Sequence, residues 1–168
     1  MNHKDWIQKE LRKLGISLGF KYVPFEEIED RLTRVRNGMK KQEIEALLVI
    51  QKMDFYYLSG TTQDGILFVP LEGKPLLMIR RELERAKVES PIENVVALDS
   101  NRVLPSLIKD YSGNLLHSLG LELDVLPVKD YFRLQDLFPG TRLMDASLIL
   151  RDARKIKTPY EIQLMRVA

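Results

Sequence analysis

Three stretches decide the fold: Ala46-Leu47-Leu48-Val49-Ile50, Ile66-Leu67-Phe68-Val69 and Leu76-Leu77-Met78-Ile79. Each is a short apolar run without a polar break. A helix of normal length would be longer and would show a polar face. Residues 46–50 therefore fit a strand buried on both sides, as in the middle of an α/β sheet. Leu71-Glu72-Gly73-Lys74-Pro75 joins the second and third runs. So short a linker predicts an antiparallel hairpin.

Upstream, Pro24 opens a helix in which Phe25, Ile28, Leu32, Val35 and Met39 form one apolar stripe. Glu26, Glu29, Arg31, Arg34, Arg36 and Lys40 fall on its other faces. Further upstream, Ile7, Leu11 and Leu14 share helical spacing, and Gly15 is placed as a stop. Downstream, the pattern predicts helix at 81–89, strand at 94–98, helix at 103–110 and strand at 118–122. A helix from Pro127 comes next, with Val128, Tyr131, Leu134 and Leu137 inward. Strand at 141–144 succeeds it, and Asp145 N-caps a helix to about residue 153. Strands that alternate with helices after a hairpin imply an α/β fold, a mixed sheet flanked by helices.

Near the C-terminus, Thr158-Pro159-Tyr160-Glu161 carries a full helix-start signature. Thr158 is the N-cap, Pro159 takes the first helical position and Glu161 closes a capping box. The sequence stops at Ala168, about ten residues into that helix, and isolated helices shorter than ~12 residues are marginal in water. We expect the chain to be the front piece of a longer protein.

With 168 residues the chain is the size of one domain. Lys and Arg number 26 against 24 Asp and Glu, a net charge of +2, which is too balanced for a nucleic-acid binder. The absence of cysteine removes disulfides, thiolate metal sites and a cysteine nucleophile, and suits a reducing cytoplasm. No stretch approaches the ~18 apolar residues of a membrane helix, and charged residues interrupt the N-terminus where a signal peptide would be apolar. No membrane or nucleic-acid partner is expected, and the expected location is cytoplasmic.

Sites of chemistry are sparse. The only histidines, His3 and His117, have no partners in sequence. Glu122 and Asp124 stand at strand spacing and should point the same way, but lack the further ligands a metal needs. Neither phosphate-binding glycine loops nor the G-x-S-x-G nucleophile pattern occurs. The segment from Phe55 to Gly65 is the most polar-aromatic stretch. Two readings stand for it: a binding loop held by a rigid sheet, or a helical turn of Tyr56, Tyr57 and Leu58 in the core, with Thr61 to Gly65 a plain connection.

These residues also carry a resemblance. Arg31-Leu32, Val35-Arg36 and Met39 are succeeded in order by Ala46-Leu47-Leu48-Val49, Tyr57-Leu58-Ser59-Gly60, Leu119-Gly120-Leu121-Glu122 and Asp145-Ala146-Ser147. Last and most specific is Arg154-Lys155-Ile156-Lys157-Thr158-Pro159-Tyr160-Glu161-Ile162 with Met165-Arg166 and Ala168. From about residue 25 onward the chain resembles the N-terminal domain of the creatinase/prolidase/aminopeptidase P family. The resemblance implies a sheet related to the ribonuclease H-like motif. It divides the chain into an extension (1–22), the N-terminal domain (23–153), and a linker with the start of a catalytic domain's first helix (154–168).

That catalytic domain, in the family, holds two divalent metal ions such as manganese, cobalt or zinc and cleaves before proline. No ligand of theirs matches a position here, so no catalytic or metal residue and no cofactor is expected in this chain. The implied partners are a C-terminal catalytic domain of the same chain, a second copy in a homodimer, and proline-containing peptides. In some members a loop of one subunit reaches the partner's active site. Thr61, Thr62, Gln63 and Asp64, with Tyr57 packed behind, are the expected substrate-facing loop. A creatinase-type hydrolase and a catalytically inactive protein-binding relative are the alternatives within the resemblance.

Overall fold

The computed structural model describes residues 22–113 and 115–167. The helix expected around Ile7, Leu11 and Leu14 lies outside them. The elements, in order, are α1 (Phe25–Lys41), β1 (Ala46–Val49), α2 (Lys52–Ser59), β2 (Gly65–Pro70), β3 (Leu76–Ile79), α3 (Leu83–Glu89) and β4 (Val95–Ala97). A short 3-10 turn (Asn101–Val103), α4 (Leu104–Ser112), β5 (Ser118–Leu121), α5 (Val128–Leu137), β6 (Arg142–Asp145), α6 (Ser147–Lys155) and α7 (Pro159–Val167) complete them.

The strands form one mixed sheet in the order β4-β3-β2-β1-β5-β6. β2 pairs antiparallel with both β1 and β3, as the short linker required. β1–β5, β3–β4 and β5–β6 are parallel; α3 joins β3 to β4 and α5 joins β5 to β6. The four middle strands are buried almost throughout. Alternation splits them between two cores. Leu47, Val49, Leu67, Val69, Leu77 and Ile79 meet the α1, α2 and α6 side, where Ile28, Leu32, Val35, Leu58 and Leu150 pack. Ala46, Leu48, Ile66, Phe68, Met78 and Leu119 face α4 and α5, meeting Leu104, Ile108 and Leu134. This is why the runs have no polar break.

Several expectations are corrected. Phe25, in the first turn of α1, is 51% exposed, so the buried stripe begins at Ile28. Arg31 lies on the buried side of α1, not the wet one. Position 31 is three residues from Ile28 and four from Val35, which puts it on the stripe's own edge. Val128 is the first residue of α5 and is 69% exposed, while Leu134 carries that helix's burial. Of the two readings for residues 55–65, the helical turn forms: residues 55–59 are helical with Tyr57 and Leu58 buried and Tyr56 exposed, which leaves Gly60 to Asp64 as loop. Ala146 takes the N-cap position of α6, although the Asp145 carboxylate still accepts the Ser147 N–H at 3.0 Å. Gly38 of α1 sits where a Cβ would stand 2.7 Å from Ile149, so glycine permits the close approach of α1 and α6.

Candidate functional site

The loop follows α2, which starts just after β1. The Gln51 side chain caps α2, its Oε1 accepting the Met53 and Asp54 N–H at 2.6 and 2.9 Å. Gly60 ends the helix in the left-handed region at φ 75°, its N–H donating to Tyr56 O at 2.8 Å. Beyond it the side chains fold onto one carboxylate. Thr61 Oγ1 donates to Glu89 Oε2 at 2.7 Å and Gln63 Nε2 donates to the same oxygen at 3.1 Å. Arg85 Nε donates to Oε1 at 2.7 Å. Burial alone would push the Glu89 carboxyl up, but the hydrogen bonds from Thr61, Gln63 and Arg85 outweigh it and hold the group below its ordinary value.

Of the expected substrate-facing residues, Thr61 is buried and Gln63 half-buried, both against Glu89. Asp64 is exposed and accepts Arg80 Nη1 at 3.0 Å. Thr62 opens outward, into a hollow of about 260 Å³ shared with Tyr22, Tyr56, Glu89, Tyr160 and Leu164. Tyr57 points away from the loop. Its hydroxyl donates to Ala153 O at 2.9 Å, and burial, then the charge of Glu161, pushes its phenol up to about 12.

Tyr57 leads to a second centre, at the entry to α7. Arg31, 4% exposed, donates from Nε to Glu27 Oε1 at 2.9 Å and from Nη1 to Tyr57 O at 2.7 Å. Its Nη2 stands 3.0 Å from Glu161 Oε1. The guanidinium lies 4.3 Å over the Tyr57 ring and 6.0 Å from that of Tyr160, close enough for cation–π attraction. The capping box forms as its sequence required: Thr158 N–H donates to Glu161 Oε2 at 3.0 Å, and Glu161 N–H to Thr158 Oγ1 at 3.1 Å. Thr158 Oγ1 also donates to Glu27 Oε1 at 2.9 Å. Glu161 thus caps α7 with one oxygen and anchors it to α1 with the other.

Sequence reasoning missed this centre. The signal that could have found it was the Glu27–Arg31 pair at four-residue spacing, on the edge of an apolar stripe. Beside it, α2, α6 and α7 leave an open groove of about 730 Å³ walled by Met53, Tyr56, Arg154, Lys155, Leu164 and Met165.

Glu122 and Asp124 do not converge, which corrects their expected common direction. β5 ends at Leu121 and the chain turns at once, Leu123 N–H donating back to Leu121 O at 3.1 Å, so the two-residue strand period is broken. Glu122 turns to the end of β1, accepting the Ile50 N–H, and Asp124 pairs with Arg151. Among the described residues no group of three or more His, Cys, Asp or Glu could hold a metal ion, and no helix is long and apolar enough to cross a membrane.

A six-stranded mixed sheet flanked by helices, with α7 tied to α1 through a buried arginine, defines an α/β domain. The sequence model of the creatinase/prolidase N-terminal domain matches residues 31–156, and the chain belongs to that family. Among curated proteins it is 26% identical to an uncharacterized hydrolase/peptidase of Sinorhizobium fredii, over 89% of this chain and 43% of that protein, so it spans less than half of that relative's length.

Solved structures agree in fold. The Xaa-Pro dipeptidase of Bacillus anthracis superposes with a TM-score of 0.74 at 18% identity, over 84% of this chain and 39% of that one. The aminopeptidase P of Streptococcus thermophilus gives 0.65 at 19%, over 76% and 98%. The prolidase of Pyrococcus horikoshii gives 0.64 at 25%, over 80% and 37%.

Proposed function

We propose that this chain is the non-catalytic N-terminal domain of a cytoplasmic, metal-dependent Xaa-Pro peptidase, where it sets the direction of the catalytic domain and shapes access to it. Residues 23–153 form the domain, 154–168 the linker and first helix of the catalytic part, and 1–22 an extension. The observation that carries this reading is the Arg31 junction. Glu27, Tyr57, Thr158 and Glu161 converge around a single buried guanidinium, so α7 leaves the sheet in one fixed direction. Buried ion pairs add little stability in themselves but oppose rearrangement strongly, because breaking one strands a charge.

Among the described residues no group of His, Cys, Asp and Glu is arranged to hold the family's two metal ions. Glu122 is engaged by backbone N–H groups and Asp124 by Arg151. In this reading the metal chemistry belongs to the catalytic domain. This chain contributes position, a surface for pairing two copies, and the loop Thr61–Asp64, with Thr62 at its tip, as a wall of the partner's substrate entrance.

The test is hydrolysis of an Xaa-Pro dipeptide and of a longer Xaa-Pro peptide by the full-length gene product with manganese or cobalt, beside the 168-residue chain. Turnover by the full-length protein alone is expected. The double variant Gln63→Ala/Asp64→Ala should change the Michaelis constant; an unchanged constant would remove the loop from the substrate path. No turnover by a folded, metal-loaded full-length protein would overturn the peptidase reading.

A further inference from the structure

One buried carboxylate serves neither the junction nor the loop. Glu122 comes directly after β5 and is 4% exposed. Its Oε2 accepts the Ile50 N–H at 2.7 Å and the Gln51 N–H at 2.9 Å, which ties the end of β5 to the end of β1 and to the residue that caps α2. Its Oε1 is buried without a hydrogen-bond partner. Beside it stands Asp54, in the first turn of α2, and Asp54 Oδ1 accepts Arg154 Nη1 at 2.7 Å from the last turn of α6. The remaining charged groups nearby are Asp124, in the turn after β5, and Arg151 of α6, which pair with each other. Among the described residues no cation contacts Glu122.

A carboxylate with one orphaned oxygen and an anion beside it is a poor tenant of a buried site. The acid form suits the site better: Oε2 keeps its two N–H donors, and the acid proton has the neighbouring Asp54 side chain as its acceptor. We propose that Glu122 carries a proton in the folded chain, with the Asp54 side chain as its acceptor, and that this proton controls how α2 seats against α6. With it, hydrogen bonding runs unbroken from β5 through Glu122, Asp54 and Arg154 to the end of α6. Without it, two adjacent carboxylates repel, and the first turn of α2 moves away from the ends of β1 and β5.

The consequence travels along α2. Tyr57 gives its carbonyl to Arg31 and its hydroxyl to Ala153 O, next to Arg154, so displacing α2 loosens the junction that holds α7. Burial first, then the charge of Asp54, lift the Glu122 carboxyl to about 7 against the pull of the two backbone donors, which puts the change near neutrality. The device is a property of this domain and is independent of any peptidase activity.

The test is an NMR titration of the 168-residue chain from about pH 5 to pH 9, a range that brackets such a group. It tracks the Glu122 side-chain carboxyl carbon, the Ile50, Gln51 and Tyr57 amides and the Arg154 Nε–H. All of these should report one midpoint near 7. Glu122→Gln should abolish it, and Asp54→Asn should lower it by removing the neighbouring charge. A Glu122 midpoint below about pH 5.5 would overturn the proposal. So would a midpoint near 7 that leaves Arg154 and Tyr57 unmoved, because the proton would then be local. Should a variant fail to fold, the unaltered chain still decides the question.

Discussion

Arg31 Nη2 and Glu161 Oε1 stand 3.0 Å apart, although one residue belongs to the first described helix and the other to the last. Their meeting joins the two ends of the described chain. The geometry gives Arg31 three protein acceptors and an aromatic face, and gives Glu161 both a cap and an anchor.

Removing that guanidinium leaves the buried Glu27 and the half-buried Glu161 carboxylates without their cation. Arg31→Ala should cost about 3–5 kcal/mol in chemical denaturation. Arg31→Lys should recover only part, since an ammonium cannot place three donors in a fixed fork. A double-mutant cycle of Arg31→Met with Glu161→Gln should give a coupling energy of about 0.5–3 kcal/mol. Additive effects would show that the pair is incidental.

Thr158→Ala removes the capping oxygen and the bond to Glu27 together. The expected loss is about 1–2 kcal/mol, with faster hydrogen exchange confined to the first turn of α7. Thr158→Ser keeps the hydroxyl and should restore most of both.

Glu122 makes stability depend on pH with a definite sign. Its carboxyl is raised from 4.5 to about 7 on folding, so the native chain binds this proton more tightly than the unfolded one. Its stabilising share is whole below about pH 4.5, is lost as pH rises towards 7, and changes no further above that. The size is about 3 kcal/mol. Glu122→Gln keeps the acceptor for Ile50 and Gln51 and should be the more stable protein at about pH 8. Subtracting the two stability profiles isolates this group; a flat difference between about pH 4.5 and pH 7.5 would contradict the assignment.

Glu89 works in the opposite direction. Its carboxyl is held below the ordinary value, so its share of stability is present above about pH 4.5 and fades as pH falls through the lowered value. Glu89→Ala strands the buried Thr61 hydroxyl and should cost about 1–3 kcal/mol. Faster exchange at the Gln63 amide should accompany it, while α7 exchange stays unchanged.

Gly60→Ala tests the turn that launches the loop. At φ 75° an added Cβ costs roughly 1–2 kcal/mol, and here it would also lie 3.3 Å from Pro91. Proteolytic nicking between residues 60 and 64 should rise in step with the loss of stability.

Much of the fold was legible because its signals are local. The unbroken run at 46–50, the short linker at 71–75 and the box at 158–161 each state their structure within a few residues, and each formed as read. The first misreadings lie at element ends. Phe25 and Val128 continue an apolar spacing past the point where anything packs on it, and periodicity does not show where the partner surface stops. The loop was harder, since Thr61 and Gln63 are ordinary loop residues until α3 brings Glu89 to them.

The sequence by itself determined the strand set, the hairpin, the start of the last helix and the family. The first three rest on hydrophobic period, turn length and capping chemistry, all short-range, and the family on the order of its motifs. Only the tertiary structure decided that Arg31 is buried and that Glu122 turns to β1 instead of pointing with Asp124. It alone decided that Thr62 opens outward while Thr61 and Gln63 fold onto Glu89. The reason is that a polar group enters the interior only where distant partners satisfy it. Those partners meet once β5 docks beside β1 and α6 lies across α1 and α2.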